Sequence, residues 1–284
     1  MNLILAPLRG VTIRAFRKAF ASAIAEAGFT GAVAPFVAAN PGLRVRNDYL
    51  RDVLPFEPGL VPQAIGKDPD ALRILLKAFK DRGYGRVNLN AGCPFPMIVR
   101  RGRGSGLIRN PDTFRRMLDA GCSEMGPGCF SVKMRLGLER PDEIFALLDI
   151  LNAYPLEYLA VHARTAAQMY EGECLKSAFP SIIAASRNPV VANGDFAATD
   201  APPDGSAGLM VGRAFVRGLA QRPDSAELLA AYADISRAEL HGPAAVLGRL
   251  KELLSYWKDS SRRWGRIWAV AKLARSVEEL LRLA

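Results

Sequence analysis

Eight short apolar or β-branched runs, separated for the most part by helical stretches, constrain this chain more than any other feature. The runs occupy residues 3–6, 31–36, 61–65, 86–89, 130–134, 158–161, 189–192 and 208–211. Helical patterns lie between them at 13–27, 70–80, 111–120, 142–152 and 181–187. Strands alternating with helices give an α/β fold with a parallel sheet, because a parallel neighbour is reached only through a long crossover. Eight such units predict a (β/α)8 TIM barrel, which takes about 250 residues. The chain has 284 residues, so we assign the barrel to residues 1–222 and a small C-terminal all-helical domain to 223–284. Asn110 before Pro111 is a helix-opening signal, a capping side chain followed by Pro at the first helical position. Segment 196–206 is rich in Pro, Asp and Gly, and no proper helix is expected in the seventh connection.

The tail carries the charge argument. Lys and Arg number 38 against 28 acidic residues, a net charge of +10, and such an excess favours polyanionic partners, nucleic acid foremost. Ordinary solubility is the plainer explanation. Residues 246–283 form a long, basic, amphipathic stretch after a turn at Gly242 and Pro243. Trp257, Trp264 and Trp268 are interleaved with its basic residues, which suits base stacking and a packed helical core equally.

Several classes are disfavoured. The four cysteines, Cys93, Cys122, Cys129 and Cys174, have no zinc-type spacing. Two histidines, His162 and His241, exclude a histidine-rich site, so no metal is expected. No leader peptide is read at the start, which predicts a cytoplasmic protein with reduced thiols. No apolar run is long enough to span a bilayer. A monomer is expected.

Barrels of this kind place their chemistry at the carboxyl ends of the strands, and this sequence concentrates its unusual residues there. The first strand runs into Pro7, Leu8 and Arg9, the third holds Gln63, and the fourth ends in Asn90, Gly92, Cys93 and Pro94. Lys133 and Arg135 lie on the fifth, and His162 ends the sixth. Asn193, Gly194 and Asp195 follow the seventh, and Gly212 and Arg213 the eighth. Glycine lets backbone N–H groups approach a phosphate, and Arg213 adds charge-assisted bonds. Lys133 lies in an apolar strand, where it either reaches solvent or meets an anionic cofactor. His162 is either a satisfied core histidine or a donor to a cofactor ring. Cys93 is followed by Arg100, Arg101 and Arg103, which predicts an exposed, electropositive loop with an available thiol.

Taken together, these segments resemble the tRNA-dihydrouridine synthases across the whole barrel and in the right order. The most specific piece is Asn90, Ala91, Gly92, Cys93 and Pro94 followed by Gly102, Arg103, Gly104, Ser105 and Gly106. The stretch from Leu250 to Tyr256 is most similar to the bacterial C-type branch. The resemblance implies FMN in the barrel mouth and NADPH as its reductant, with tRNA as substrate. A hydride would go to C6 of a D-loop uridine, and Cys93 would give a proton to C5. Asn90 would hold the uracil edge and Arg135 the nearby RNA. Pro7, Leu8 and Arg9 would line the flavin, and Gln63 and Lys133 would bond its ring and ribityl chain. Asn193, Gly194, Asp195, Gly212 and Arg213 would cradle its phosphate. The basic tail would bind tRNA. Ile13, Pro35, Ala38 and Pro96 depart from the usual Asp, Glu, Arg and Lys of that family, at positions where RNA is handled. Two alternatives stand beside this reading: a small-molecule flavin oxidoreductase acting on a free pyrimidine, and a non-catalytic RNA-binding barrel.

Overall fold

The computed structural model describes residues 2–283. Its elements run β1 (Asn2–Leu5), α1 (Arg14–Ala19), α2 (Ala21–Glu26), β2 (Gly31–Val33), β3 (Val37–Ala39), β4 (Leu60–Val61), β5 (Gln63–Gly66), α3 (Pro69–Lys80), β6 (Val87–Ala91), α4 (Pro96–Arg100) and α5 (Pro111–Met125). There follow β7 (Phe130–Arg135), α6 (Glu143–Leu151), β8 (Leu159–His162), α7 (Phe179–Ala185), β9 (Val190–Asn193), β10 (Gly208–Val211) and α8 (Arg213–Gly218). The tail folds as α9 (Ser225–Glu239), α10 (Pro243–Trp257), α11 (Arg262–Ala271) and α12 (Val277–Leu281).

Ten strands form one parallel sheet, in the order β3-β5-β6-β7-β8-β9-β10-β1-β2-β4. The order looks open but describes a ring. β2 and β3 are two pieces of one barrel strand, parted at Ala34, Pro35 and Phe36, and β4 and β5 are two pieces of the next, parted at Pro62. β2 pairs with β4 through Ala32↔Leu60 and Val33↔Val61, and β3 pairs with β5 through Val37↔Ala64 and Ala38↔Ile65. Eight barrel strands therefore close, as the alternation predicts. The runs at 31–36 and 61–65 are not continuous strands, because Pro has no N–H to give the ladder.

The helices follow local chemistry. Asp68 caps α3 by accepting from the N–H groups of Asp70 and Ala71 at 3.0 and 2.9 Å. Asn110 caps α5 through the Thr113 N–H at 2.9 Å, ahead of Pro111. The stretch 13–27 divides into α1 and α2 at Phe20, whose ring is buried against Phe16 and Tyr232. Residues 196–206 contain no helix. No helix among the described residues is long and apolar enough to cross a membrane.

Two apolar clusters hold the molecule. A small one fills the barrel lumen with Ile4, Ala6, Val33, Val61, Tyr158, Ala160, Val191 and Met210. The large one lies between sheet and helices and continues into the tail through Leu229, Leu250, Trp257, Trp264 and Leu280. The stretch 246–283 is not one helix but most of α10, all of α11 and α12, and the turns between them. Trp257 and Trp264 are fully buried, their rings 4.7 Å apart, and their indole N–H groups donate to the carbonyls of Val216 and Ala220, each at 2.8 Å. Both indoles are core, which leaves neither face available to a base. Trp268 is half-buried against the same cluster.

Candidate active site

A cavity of about 1210 Å³ opens at the carboxyl ends of the strands. Pro7, Leu8, Arg9, Asn90, Cys93, Lys133, Arg135, His162, Asn193, Gly194, Asp195, Gly212 and Arg213 all line it. Gln63, the remaining expected contact of the cofactor, stands outside the lining, fully buried behind Asn90. The far wall comes from α10 with Arg249, Glu252 and Tyr256.

The turn that carries Cys93 is built on Asn90. Its Oδ1 accepts from the N–H groups of Gly92 at 3.1 Å and Cys93 at 2.9 Å, and its Nδ2 donates to Gln63 Oε1 at 2.9 Å. The glycine-rich stretch that follows folds back onto this turn. Ser105 N–H donates to the Cys93 carbonyl at 3.1 Å. Gly104 has φ +55°, and a Cβ there would lie 2.7 Å from the Cys93 carbonyl oxygen and 2.8 Å from the Cys93 Cβ. Only glycine fits so close to another backbone in that conformation. Gly104 clamps the thiol turn.

Cys93 is buried, not exposed as its neighbours in sequence suggest. Burial pushes its thiol above the ordinary range, and the opposing cations are Arg9, Arg135 and Lys133 rather than the arginines at 100–103. Arg100 and Arg101 point to solvent. The group is therefore a protonated thiol in a cationic cavity, suited to giving a proton.

Opposite stands a cluster of cations. Lys133 reaches the cavity with its amine, which donates to Asn193 Oδ1 at 2.9 Å. Asn193 is itself fixed by donation to the Met210 carbonyl at 2.6 Å. Protein encloses Lys133 on its other sides, and burial, helped by Arg135 and Arg213, pushes its pKa down to about 7. His162 is held well below its usual value by burial and then by Lys133, so its ring is neutral. Arg164 Nη1 approaches His162 Nε2 at 3.4 Å. A guanidinium only donates, which leaves the ring proton on Nδ1.

The Asp195 side chain is engaged within the protein. Its carboxylate bridges Arg164 and Arg213, the latter at 2.7 Å, and the Arg164 bond holds it below the usual carboxylate range. A carboxylate would repel phosphate; this one orients two arginines. Gly194 and Gly212 let the floor pack closely. A Cβ on Gly194, at φ +111°, would lie 2.6 Å from Cys174 Sγ and 2.8 Å from His162 Cδ2. One on Gly212 would lie 3.0 Å from the Ala6 Cβ.

Arg135 is anchored by the carbonyls of Gly92 at 3.0 Å and Thr165 at 2.8 Å. Its guanidinium lies 5.1 Å from the centre of the Tyr170 ring, and that of Arg213 lies 4.8 Å from it. The parts of Tyr170 and Arg164 in the site appear only when neighbouring strands meet. The α10 wall was missed altogether. Arg249 Nη1 bonds Glu252 at 2.6 Å and the Gly10 carbonyl at 2.9 Å, the latter separated from it by more than two hundred residues in the chain. Of the four unusual positions, Ile13 and Pro35 line the cavity. Ile13 stands at the start of α1 without a side-chain cap, and Pro96 opens α4 at the surface.

Fold and site together define a (β/α)8 barrel that carries a protonated thiol and a cationic floor at its catalytic end. A family profile described as "Dihydrouridine synthase (Dus)" matches residues 4–227. This chain belongs to the dihydrouridine synthase family. It is 30% identical over 223 residues to tRNA-dihydrouridine synthase B of Vibrio cholerae, covering 75% of this chain and 67% of that one. It is 31% identical over 225 residues to a probable tRNA-dihydrouridine synthase of Rhodobacter capsulatus, covering 74% and 66%. A Serratia marcescens synthase B aligns over 266 residues at 27% identity, covering 89% and 74%. Among solved structures, morphinone reductase matches with a TM-score of 0.54 at 13% identity, over 76% of this chain and 83% of that one. An old yellow enzyme homologue from Zymomonas mobilis gives 0.54 at 11%, over 76% and 85%. At such identities the likeness is one of fold.

Proposed function

We propose that this protein is a tRNA-dihydrouridine synthase that reduces the C5=C6 bond of a D-loop uridine, with FMN as its bound cofactor and NADPH as reductant. The observation that carries the reading is the Cys93 thiol, kept protonated by burial and facing the same cavity as the Lys133 amine. The residues present fit an anionic flavin. Lys133 is an enclosed amine with one side-chain acceptor among the described residues, and negative charge beside it would restore its full protonation. Gly194 and Gly212 bring backbone to the cavity lining beside Arg213, where a phosphate could be met.

FMN, when bound, supplies the hydride for C6 of the uracil. Cys93 Sγ gives its proton to C5 and is reprotonated from solvent afterwards. Asn90 holds the thiol turn by its Oδ1 and has one N–H left for the uracil edge. Pro7, Leu8 and Arg9 form the wall of the flavin site, and His162 presents a neutral ring beside it. Arg135, fixed by two carbonyls, keeps its charge for RNA at the mouth. The cavity exceeds the roughly 300–1,000 Å³ of a usual small-molecule pocket, which leaves room for a nucleotide beside the cofactor. A stacked uridine must swing out to enter, at a cost of a few kcal/mol. Residues 223–284 serve RNA by charge and not by their buried tryptophans. Membership of the C-type branch is proposed on residues 250–256 alone; the Vibrio and Serratia relatives carry the B name. A tRNA substrate suits the monomeric, cytoplasmic protein expected from the sequence.

The test is to incubate the protein and NADPH with unmodified tRNA transcripts and to map dihydrouridine by position. Dihydrouridine at one D-loop position supports the reading. Bleaching of a bound flavin without it would remove bare tRNA as the substrate, and turnover of free uracil alone would favour the small-molecule alternative.

A further inference from the structure

Gln63, the predicted flavin contact that stands behind the wall, is one member of a buried chain. Gln63 on β5, Asn88 on β6 and Ser131 on β7 are register partners at one level of the barrel, Gln63↔Asn88 and Asn88↔Ser131. All three are fully buried. Other residues of the lumen, Ala160, Val191 and Met210 among them, are apolar, so polar side chains here call for a reason. The buried Tyr158 hydroxyl beside Ser131 belongs with the polar group.

The bonds run in one direction. Asn90 Nδ2 donates to Gln63 Oε1 at 2.9 Å, Gln63 Nε2 to Asn88 Oδ1 at 2.7 Å, and Asn88 Nδ2 to Ser131 Oγ at 2.9 Å. The Ser131 hydroxyl then donates to the Val87 carbonyl at 3.4 Å. At one end the N–H groups of Gly92 and Cys93 can only donate, which fixes the direction. At the other the Ser131 hydroxyl meets both the Val87 carbonyl and the Tyr158 hydroxyl. An amide turned over anywhere between them would set donor against donor or acceptor against acceptor in a buried site. The chain therefore permits one orientation of the Asn90 amide, the one whose oxygen holds the Cys93 turn.

We propose that Asn88 and Ser131 are positioning residues for Cys93, acting through Gln63 and Asn90 to hold the thiol turn in place over the cavity. The functional consequence rests on the reading of Cys93 as the proton donor. Neither residue lines the cavity, so neither is expected to alter flavin binding or its reduction.

The test uses the flavin-loaded protein and the substitutions Asn88→Leu, Ser131→Ala and Asn88→Asp. An aspartic acid kept neutral by burial can accept from Gln63 and donate to Ser131, so it should behave nearly as wild type. For Asn88→Leu and Ser131→Ala we expect NADPH to bleach the flavin at the wild-type rate and the tRNA KM to stay unchanged. Dihydrouridine formation should fall about 10- to 100-fold, the scale of a misplaced catalytic group. The pH profile of Cys93 alkylation by iodoacetamide, followed on its own peptide by mass spectrometry, should shift in both variants and not in Asn88→Asp. Should Asn88→Leu fail to fold, Ser131→Ala, which removes one hydroxyl, decides. Wild-type dihydrouridine rates and an unmoved alkylation profile in Ser131→Ala would overturn the proposal. If wild type forms no dihydrouridine while the alkylation profile still shifts, the assigned reaction falls and the positioning role stands.

Discussion

The barrel mouth and the C-terminal helices both bury groups that are costly to take out of water, and they settle the cost differently. Each tail indole has a single N–H, and each finds a carbonyl at 2.8 Å, on Val216 and on Ala220. That chemistry is complete within the chain. At the mouth, Lys133 has three donors and one side-chain acceptor among the described residues, and its pKa falls to about 7. A satisfied buried group makes structure, whereas an under-satisfied one stores affinity for a partner of opposite charge.

The comparison can be broken first at the thiol. Cys93→Ala should keep its flavin yet lose about 10²–10⁴-fold in dihydrouridine formation, the usual worth of a positioned general acid; near-normal turnover would remove Cys93 from the chemistry. Trp257→Ala or Trp264→Ala should cost about 3–5 kcal/mol of folding stability, read by urea unfolding. Little loss of stability together with a large loss of tRNA affinity would return the indoles to RNA. Replacing Lys133 and Arg213 together, by Met and by Gln, should yield colourless protein that is still folded, and normal flavin occupancy would contradict the cationic floor.

A smaller effect sharpens the contrast through pH. In the free protein Lys133 is charged below about pH 7, so flavin affinity should be flat there. Above that pH the amine is neutral and must take up a proton to meet the anion, so affinity should weaken by up to about tenfold per unit. Lys133→Met should flatten that dependence. The smallest effect is expected on the tail surface. Arg262, Arg266 and Arg275 are exposed, and changing them to Gln should weaken tRNA binding mildly. Its salt dependence should become shallower, by up to about one unit of slope for each phosphate that the protein no longer neutralises. Deleting residues 246–284 is a poor substitute, because it strips Leu250, Trp257 and Trp264 from the core.

The strand count and the carboxyl-end residues were legible because both follow from local pattern and from a general rule of barrels. Strand continuity was not: Pro35 and Pro62 sit in apolar runs, and the run conceals what a missing N–H does to a ladder. An amphipathic helix declares its apolar face without naming what covers it, so the tryptophans admitted two readings until the chain closed on itself. Cys93 was misjudged because neighbours in sequence stood in for neighbours in space. Gln63 is a flavin contact only as the family resemblance implies, and its depth behind Asn90 depends on register. The α10 wall depends on approaches between the two ends of the chain, for which a local pattern carries no signal.

The approach of Gly104 to Cys93 has a consequence for lineages. A descendant of this chain could retain its cysteine, its lysine and every residue of the cationic floor and still fall silent. A single alanine at position 104 would displace the thiol from eleven places downstream, since its Cβ would meet the Cys93 carbonyl oxygen at 2.7 Å. For related chains, the cysteine alone is thus a poor certificate of activity, and the cysteine together with that glycine a far better one.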